Sequence, residues 1–365
     1  GETRMKMKKI AILGGGNGSH MMAVDMKVKG HEVRMYEMPE FKENVTQLFS
    51  TQTIEVSGIM KEKVKVDMVT DDIKKAVDGA DYILVVTPAF AHKGYAELLK
   101  GNVTENQIIV VFPGAFAALI FKNILGSDSC PVIADANNLP YDARLTSPCK
   151  VTLFGRNKIN IAFLPAEKGA GLIDMLREDL FPFEKIYTDV LECGLGIVNP
   201  ALHSGPCLLN ISNIESPHVD FYLYEHGFTP SAAKIDIVLD NERKAVGKQL
   251  GYHLTPIEDF SGLNEGYTWE ELYRATHGAI SLTPISGPND INNRYLTEDA
   301  PFGLVPWSSL GKAVGIPTPT IDAVISLYNI IHETDWRERG STVKDLGLEG
   351  MDLESIKKYV KTGKK

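Results

Sequence analysis

The strongest constraint on the fold is a glycine cluster near the amino end. In KKIAILGGGNGSH, residues 8–20, an apolar strand-like run passes straight into Gly14-x-Gly16, and Ser19 falls where a dinucleotide fingerprint has its third small residue. Each position has a physical task in that reading. Gly14 permits a tight turn, Gly16 lets backbone N–H groups approach a pyrophosphate, and a small Ser19 lets helix and strand pack closely. A glycine pattern alone is weak, so its surroundings decide. A strand precedes it, a helix is expected through Met26, and Glu37 ends the next strand twenty-one residues after Gly16. A carboxylate there accepts both ribose hydroxyls of an adenosine and repels a 2′-phosphate, which favours NAD (as NADH) over NADP. The alternative is a glycine turn in another doubly wound protein, with Glu37 merely solvated. His20, in the first helical turn, reads as a packing or capping residue.

Further apolar runs follow at intervals: HEVRMYE at 31–37, DYILVVTP at 81–88, QIIVVFPG at 107–114 and CPVIADAN at 130–137. Nearly continuous runs that end in Gly, Pro or a polar residue are expected of strands covered by helices on both faces. They predict a parallel, doubly wound, Rossmann-type α/β sheet. TIEVSG and VKVDMVT, around 53–70, look like a small extra β excursion, and VTLFGRN and KINIAFLPA close this half near residue 185. Thr87 and Pro88 end a strand on the side where such sheets bind ligands. Their backbone could line the dinucleotide, or TP could be an ordinary strand-ending turn.

The second half is helical in pattern, which predicts an NAD-binding domain over 1–186 and an all-α domain over 187–365. In TPSAAKIDIVLDNERKAVGKQLGY, Thr229 can cap a helix whose first residue is Pro230, with Ile235, Val238, Leu239, Val246 and Leu250 on one face. PTPTIDAVISLYNIIHE repeats the arrangement with Ile321, Val324, Ile325, Tyr328 and Ile331. An active site is expected in the cleft between the two domains.

A net charge of -9 repels phosphodiester backbones and anionic lipid, so nucleic acid and membrane are poor partners. The lysines of KKYVKTGKK at the carboxyl end read as a solvated tail and the favoured charge for the end of a last helix. IIVVFPGAFAALIF at 108–121 is too short to span a bilayer and is broken by Pro113 and Gly114. GETRMKMKKI has no signal-peptide hydrophobic region, and the residues ahead of Met5 or Met7 read as an addition. Cys130, Cys149, Cys193 and Cys207 lie far apart without a CxxC pair, which argues against a zinc site and a disulfide framework and favours reduced thiols in the cytoplasm.

NPALHSGPCLLN, residues 199–210, places His203 between Pro200 and Pro206. Far downstream, INNRYLTEDAPFGLVPW holds Arg294 and Asp299 five residues apart in a stretch rich in Asn and Pro. An arginine fork is a natural clamp for a substrate carboxylate. If Asp299 met His203, it would fix the tautomer and favour the charged imidazole. Each residue also has a structural reading: a core histidine, and a surface ion pair.

The ordered set GGGNGSH, NPALHSGPCLLN, NNRYLTEDAPFGLVP and VGIPTPTIDAVISL resembles the opine dehydrogenases, the octopine and nopaline dehydrogenase family, from Lys8 to about Leu348. The resemblance is nearest to bacterial enzymes that join an amino acid to a 2-oxo acid. It implies a catalytic pair of His203 and Asp299, Arg294 as the holder of the oxo-acid carboxylate, and a dinucleotide loop of Gly14, Gly16, Asn17 and Gly18. One departure is Ser204-Gly205, where such enzymes often carry proline after the histidine. The stretch GLNEGYTWEELYRATHGAI varies in type among them, so amino-acid preference does not carry over. The implied reaction reductively condenses an amino acid with a 2-oxo acid such as pyruvate, using NADH, and is compatible with a homodimer. Two alternatives stay open: a simple NAD-dependent reductase of 2-oxo or hydroxy acids on the same scaffold, and a non-catalytic NAD-binding sensor.

Overall fold

The structure, a computed structural model, describes residues 6–216, 220–257, 266–278 and 282–365. Parts of the variable stretch, 262–265 and 279–280, lie outside the described residues, as do residues 1–5. The chain forms two units: Gly1–Cys193 with Lys358–Lys365, and Gly194–Lys357. The change expected after residue 186 thus falls after Cys193. The last eight residues belong with the first unit, where Tyr359 and Val360 are buried and Gly363 lies against Pro165.

The first unit is built on β1 (Lys9–Leu13), β2 (Glu32–Tyr36), β5 (Met68–Thr70), β6 (Tyr82–Val86), β7 (Ile108–Phe112), β8 (Val132–Ala136) and β11 (Ile161–Leu164), in the order β11-β8-β7-β6-β1-β2-β5. All neighbours are parallel except β11, which runs antiparallel to β8. Strand order reverses at β1, which pairs with β2 on one side and β6 on the other. That switch point opens the crevice in which such sheets bind nucleotides. Helix α1 (Asn17–Val28) buries Met21, Met22, Ala23, Val24 and Met26 in the same core cluster as Ile10, Ile12 and Leu84.

The β excursion is larger than expected and is divided differently. β3 (Thr53–Gly58) and β4 (Glu62–Lys65) join β9 (Tyr141–Ser147) and β10 (Lys150–Arg156) in a second sheet, ordered β4-β3-β10-β9. VKVDMVT is therefore split: its start lies in β4 and its end is β5, the edge strand of the main sheet.

In the second unit, the helices that position the site are α2 (Asn199–Leu209), α3 (Pro230–Gln249), α4 (Arg294–Thr297), α5 (Val305–Val314) and α6 (Pro319–His332). α3 packs against α2, α5 and α6. Thr229 caps α3 as expected, accepting the Ala232 N–H. The buried face of α3 is turned away from the expected stripe: Leu239, Val246 and Leu250 are buried, but Val238 is 43% exposed and Ile235 only half-buried. Their places are taken by Asp236, Asp240 and Arg243, all fully buried.

Polar groups can occupy such a face only when paired. The Arg243 guanidinium donates to Asp240 Oδ1 (2.7 Å) and to the carbonyls of Leu195 (2.7 Å) and Thr255. Asp240 Oδ2 receives the Ile257 N–H (3.1 Å) and the Tyr267 hydroxyl (2.8 Å). Hydrophobic periodicity reads such residues as outward-facing. On α6, Ile321, Val324, Ile325 and Tyr328 are buried as expected, while Ile331 is half-buried. No described helix is long and apolar enough to cross a membrane.

Candidate active site

The glycine turn has the geometry its sequence demands. Gly14 has φ +117°, and a Cβ there would lie 2.5 Å from the Val86 carbonyl oxygen, so only glycine fits between the ends of β1 and β6. Gly16 has no neighbouring atom within 4 Å of a would-be Cβ, which leaves the N-terminus of α1 open. Gly18 faces Val86 and Leu139, with a would-be Cβ 3.0 Å from Val86. It shares the close-packing task with Ser19, which is fully buried and bonds the Val86 carbonyl. Asn17 Oδ1 accepts the Leu145 N–H at 2.8 Å and ties the loop to β9. His20 is buried, with Nδ1 bonded to the Gly16 carbonyl at 2.8 Å, and burial lowers its pKa; it is a packing residue, since no side chain caps α1.

Glu37 follows β2 and sits beside this loop. A Cβ on Gly15 would meet its Oε2 at 2.4 Å, so Gly15 clears space for the carboxylate. Burial pushes the Glu37 carboxyl up, while the N–H groups of Met38 and Gly15 and the Tyr95 hydroxyl pull it back. Thr87 and Pro88 follow β6. The Thr87 side chain touches the Gly14 position, and its hydroxyl is buried with no hydrogen-bond partner. An open helix N-terminus, a glycine cradle that a Cβ would fill, an acid one strand away and an orphaned hydroxyl together fit a dinucleotide.

In the second unit, His203 lies in the middle of α2, whose first turn contains Pro200. Asp299 follows α4 and precedes a π-helical turn, Ala300–Leu304, that leads into α5. Gly303 of that turn packs on Pro200: a Cβ would lie 2.2 Å from the proline ring. The glycine lets the turn approach α2, and His203 Nδ1–H donates to Asp299 Oδ2 at 2.8 Å. The histidine is 7% exposed and the aspartate side chain 15%. Burial raises the Asp299 pKa, and the His203 bond and charge oppose the rise. With Nδ1–H committed to the carboxylate, Nε2 is the nitrogen left for proton exchange.

Arg294 opens α4 five residues before Asp299, with its side chain 65% exposed and its Nε donating to Glu298 at 2.6 Å. Tyr295 was not among the expected site residues. Its ring packs, tilted, against the His203 imidazole with centroids 4.2 Å apart and planes 30° apart. The one sequence signal for it is its place between Arg294 and Asp299.

The helical region, residues 186–332, matches the family described as NAD/NADP octopine/nopaline dehydrogenase, alpha-helical domain. Residues 9–118 match the N-terminus of NAD-dependent glycerol-3-phosphate dehydrogenase. An opine dehydrogenase of an Arthrobacter species is 32% identical, over 98% of this chain and 99% of its own. Octopine dehydrogenase solved with NADH and L-arginine superimposes with a TM-score of 0.78 at 22% identity, covering 98% of this chain and 99% of that one. The same enzyme solved with NADH and pyruvate gives 0.75 at 22% identity, with the same coverage.

A nucleotide-type sheet with this glycine turn, followed by a helical unit carrying an imidazole–carboxylate pair, defines an NAD(P)-dependent oxidoreductase acting on CH–NH donors. More narrowly, the chain belongs to the opine dehydrogenase family, the NAD/NADP octopine/nopaline dehydrogenases, whose reaction reductively condenses an amino acid with a 2-oxo acid.

Proposed function

We propose that His203 is the general acid of the reductive direction and the general base of the reverse, that Asp299 orients it, and that Arg294 holds the oxo-acid carboxylate. The observation that carries this reading is the 2.8 Å bond between His203 Nδ1 and Asp299 Oδ2, which dedicates Nε2 to substrate. Condensation of the amine with the 2-oxo acid releases water and forms a C=N bond, and reduction then places a hydride on carbon. Bound NADH supplies that hydride. The His203 imidazolium gives its Nε2 proton to the departing hydroxyl or to the heteroatom, and Asp299 stabilises the cation until it does so. Proton transfer of this kind is commonly worth about 10²–10⁴ in rate.

Arg294 must exchange Glu298 for the substrate carboxylate. Exposed ion pairs are worth only about 0.2–1 kcal/mol, so the exchange costs little. Gly14, Gly16, Asn17 and Gly18, with the backbone of Thr87 and Pro88, would bind the dinucleotide, and Glu37 would select NADH by accepting the ribose hydroxyls. Pyruvate is the first oxo acid to try, since a relative has been solved with it. The four free cysteines favour a reducing, cytoplasmic setting.

The test is NADH oxidation with pyruvate and other 2-oxo acids, each with and without a panel of amino acids. Dependence on both partners, lost in His203→Ala, is the expected result. Turnover with oxo acid alone would favour a simple reductase, and full activity of His203→Ala would remove the acid–base assignment.

A further inference from the structure

Behind the His203–Asp299 pair lies a group of buried polar side chains that the reaction does not use. Gly205 is two residues, about 200° around α2, from His203, and α2 crosses α3 there. A Cβ on Gly205 would lie 2.5 Å from Asp236 Oδ1 and 2.6 Å from the Ala232 carbonyl oxygen. The Gly205 N–H donates to Asp236 Oδ1 at 2.7 Å. Asp236 is fully buried, and its Oδ2 has no partner. From α6, Tyr328 is equally buried, and its hydroxyl is also without a partner. Cys207 of α2 completes the group.

Among the described residues no cation pairs with Asp236. Asp240, one turn along α3, is itself negative and held by Arg243 and Lys244. An ionised carboxylate in such a place would carry a large desolvation cost with a single N–H to offset it. Burial pushes Asp236 far above the usual carboxylate range, and the Asp240 charge adds to the rise against the Gly205 N–H. Burial raises Cys207 and Tyr328 too, and the Asp299 charge adds to both. The whole junction of α2, α3 and α6 therefore holds its protons.

We propose that Asp236 is a positioning residue for the catalytic pair: a neutral carboxylic acid whose Oδ1 fixes the Gly205 N–H on the turn that carries His203. The inference rests on the reading of His203 and Asp299 as the acid–base pair. Its neutrality has a purpose in that reading. Asp299 remains the single negative partner of the imidazolium, whereas a second carboxylate charge nearby would hold the proton more tightly and slow its donation. Proline at 205 would have no N–H to offer, so Gly205 and Asp236 work as a unit.

The experiment compares wild type, Asp236→Asn and Asp236→Ala. Infrared difference spectra of wild type minus Asp236→Asn, taken above neutral pH, should contain the C=O stretch of a protonated carboxylic acid. Asp236→Asn keeps an acceptor for Gly205 and a donor in place of the O–H, so kcat and the pH–rate profile should stay within about twofold of wild type. Asp236→Ala leaves the Gly205 N–H unpaired in the interior and should lower kcat about tenfold or more with KM for NADH unchanged. A missing C=O band, a displaced pH profile in Asp236→Asn, or wild-type kcat in Asp236→Ala would each overturn the proposal. If Asp236→Ala does not fold, the infrared band and the Asp236→Asn profile decide. Failure of the underlying acid–base reading would show separately, as undiminished turnover by His203→Ala.

Discussion

Asp299→Asn isolates charge from geometry in the proposed acid–base pair. The amide oxygen can accept the His203 Nδ1–H at the same 2.8 Å, so ring orientation is kept and the counter-charge is lost. A hydrogen bond to a charged group is worth about 1.5–3 kcal/mol, against about 1 for a neutral one. With His203 7% exposed and the Asp299 side chain 15%, solvent recovers little of the difference. The imidazolium should therefore lose roughly 1–2 kcal/mol of stabilisation, about a five- to thirtyfold loss in rate for the step that needs it. In steady-state NADH oxidation at saturating oxo acid and amine, kcat should fall by that factor. KM for NADH should not change, because Gly14, Gly16 and Glu37 are untouched. Unaltered kcat would refute the role of the charge. An equal loss spread over KM for NADH would point to general damage to the fold.

Two further perturbations test separate parts of the argument. Glu37→Gln keeps shape but removes the charge expected at the ribose. KM for NADH should rise about tenfold or more with kcat preserved, and NADPH should gain relative to NADH; an unchanged ratio of the two coenzymes in kcat/KM would rule Glu37 out as the selector. Asp135 is fully buried at the end of β8, accepts the Ala118 N–H and has its carboxyl pushed up to about 7 by burial. An unfolded aspartate ionises near about 3.9, so between those pH values the native state binds the extra proton, and stability falls as pH rises through the window. Asp135→Asn removes this penalty. Its Tm should match wild type in acid and exceed it above neutral pH, by a few kcal/mol in unfolding free energy, whereas parallel Tm curves would show that Asp135 does not carry the linkage.

What the sequence makes legible follows from the range over which each constraint acts. Gly14 is readable because its φ of +117° and the 2.5 Å approach to Val86 are local demands that exclude other residues. The strands of the main sheet are readable because both faces are covered, which leaves continuous apolar runs. β9 had a signal in the alternation of Tyr141, Ala143 and Leu145, weakened by the exposed polar residues between them. The inward face of α3 differs from the expected stripe because Asp236, Arg243 and Asp240 bond to Gly205, Leu195 and Ile257, groups far along the chain, and no periodicity records a partner.

The His203–Asp299 pair lies at the far end of this scale. His203 and Asp299 are 96 residues apart, and their meeting depends on Gly303 packing on Pro200, a contact that neither segment announces alone. Resemblance to a family supplied the pairing because it carries the folded proximity that spacing lacks. It could not supply Asp236, since that residue answers to Gly205 through a bond between two helices that no motif records.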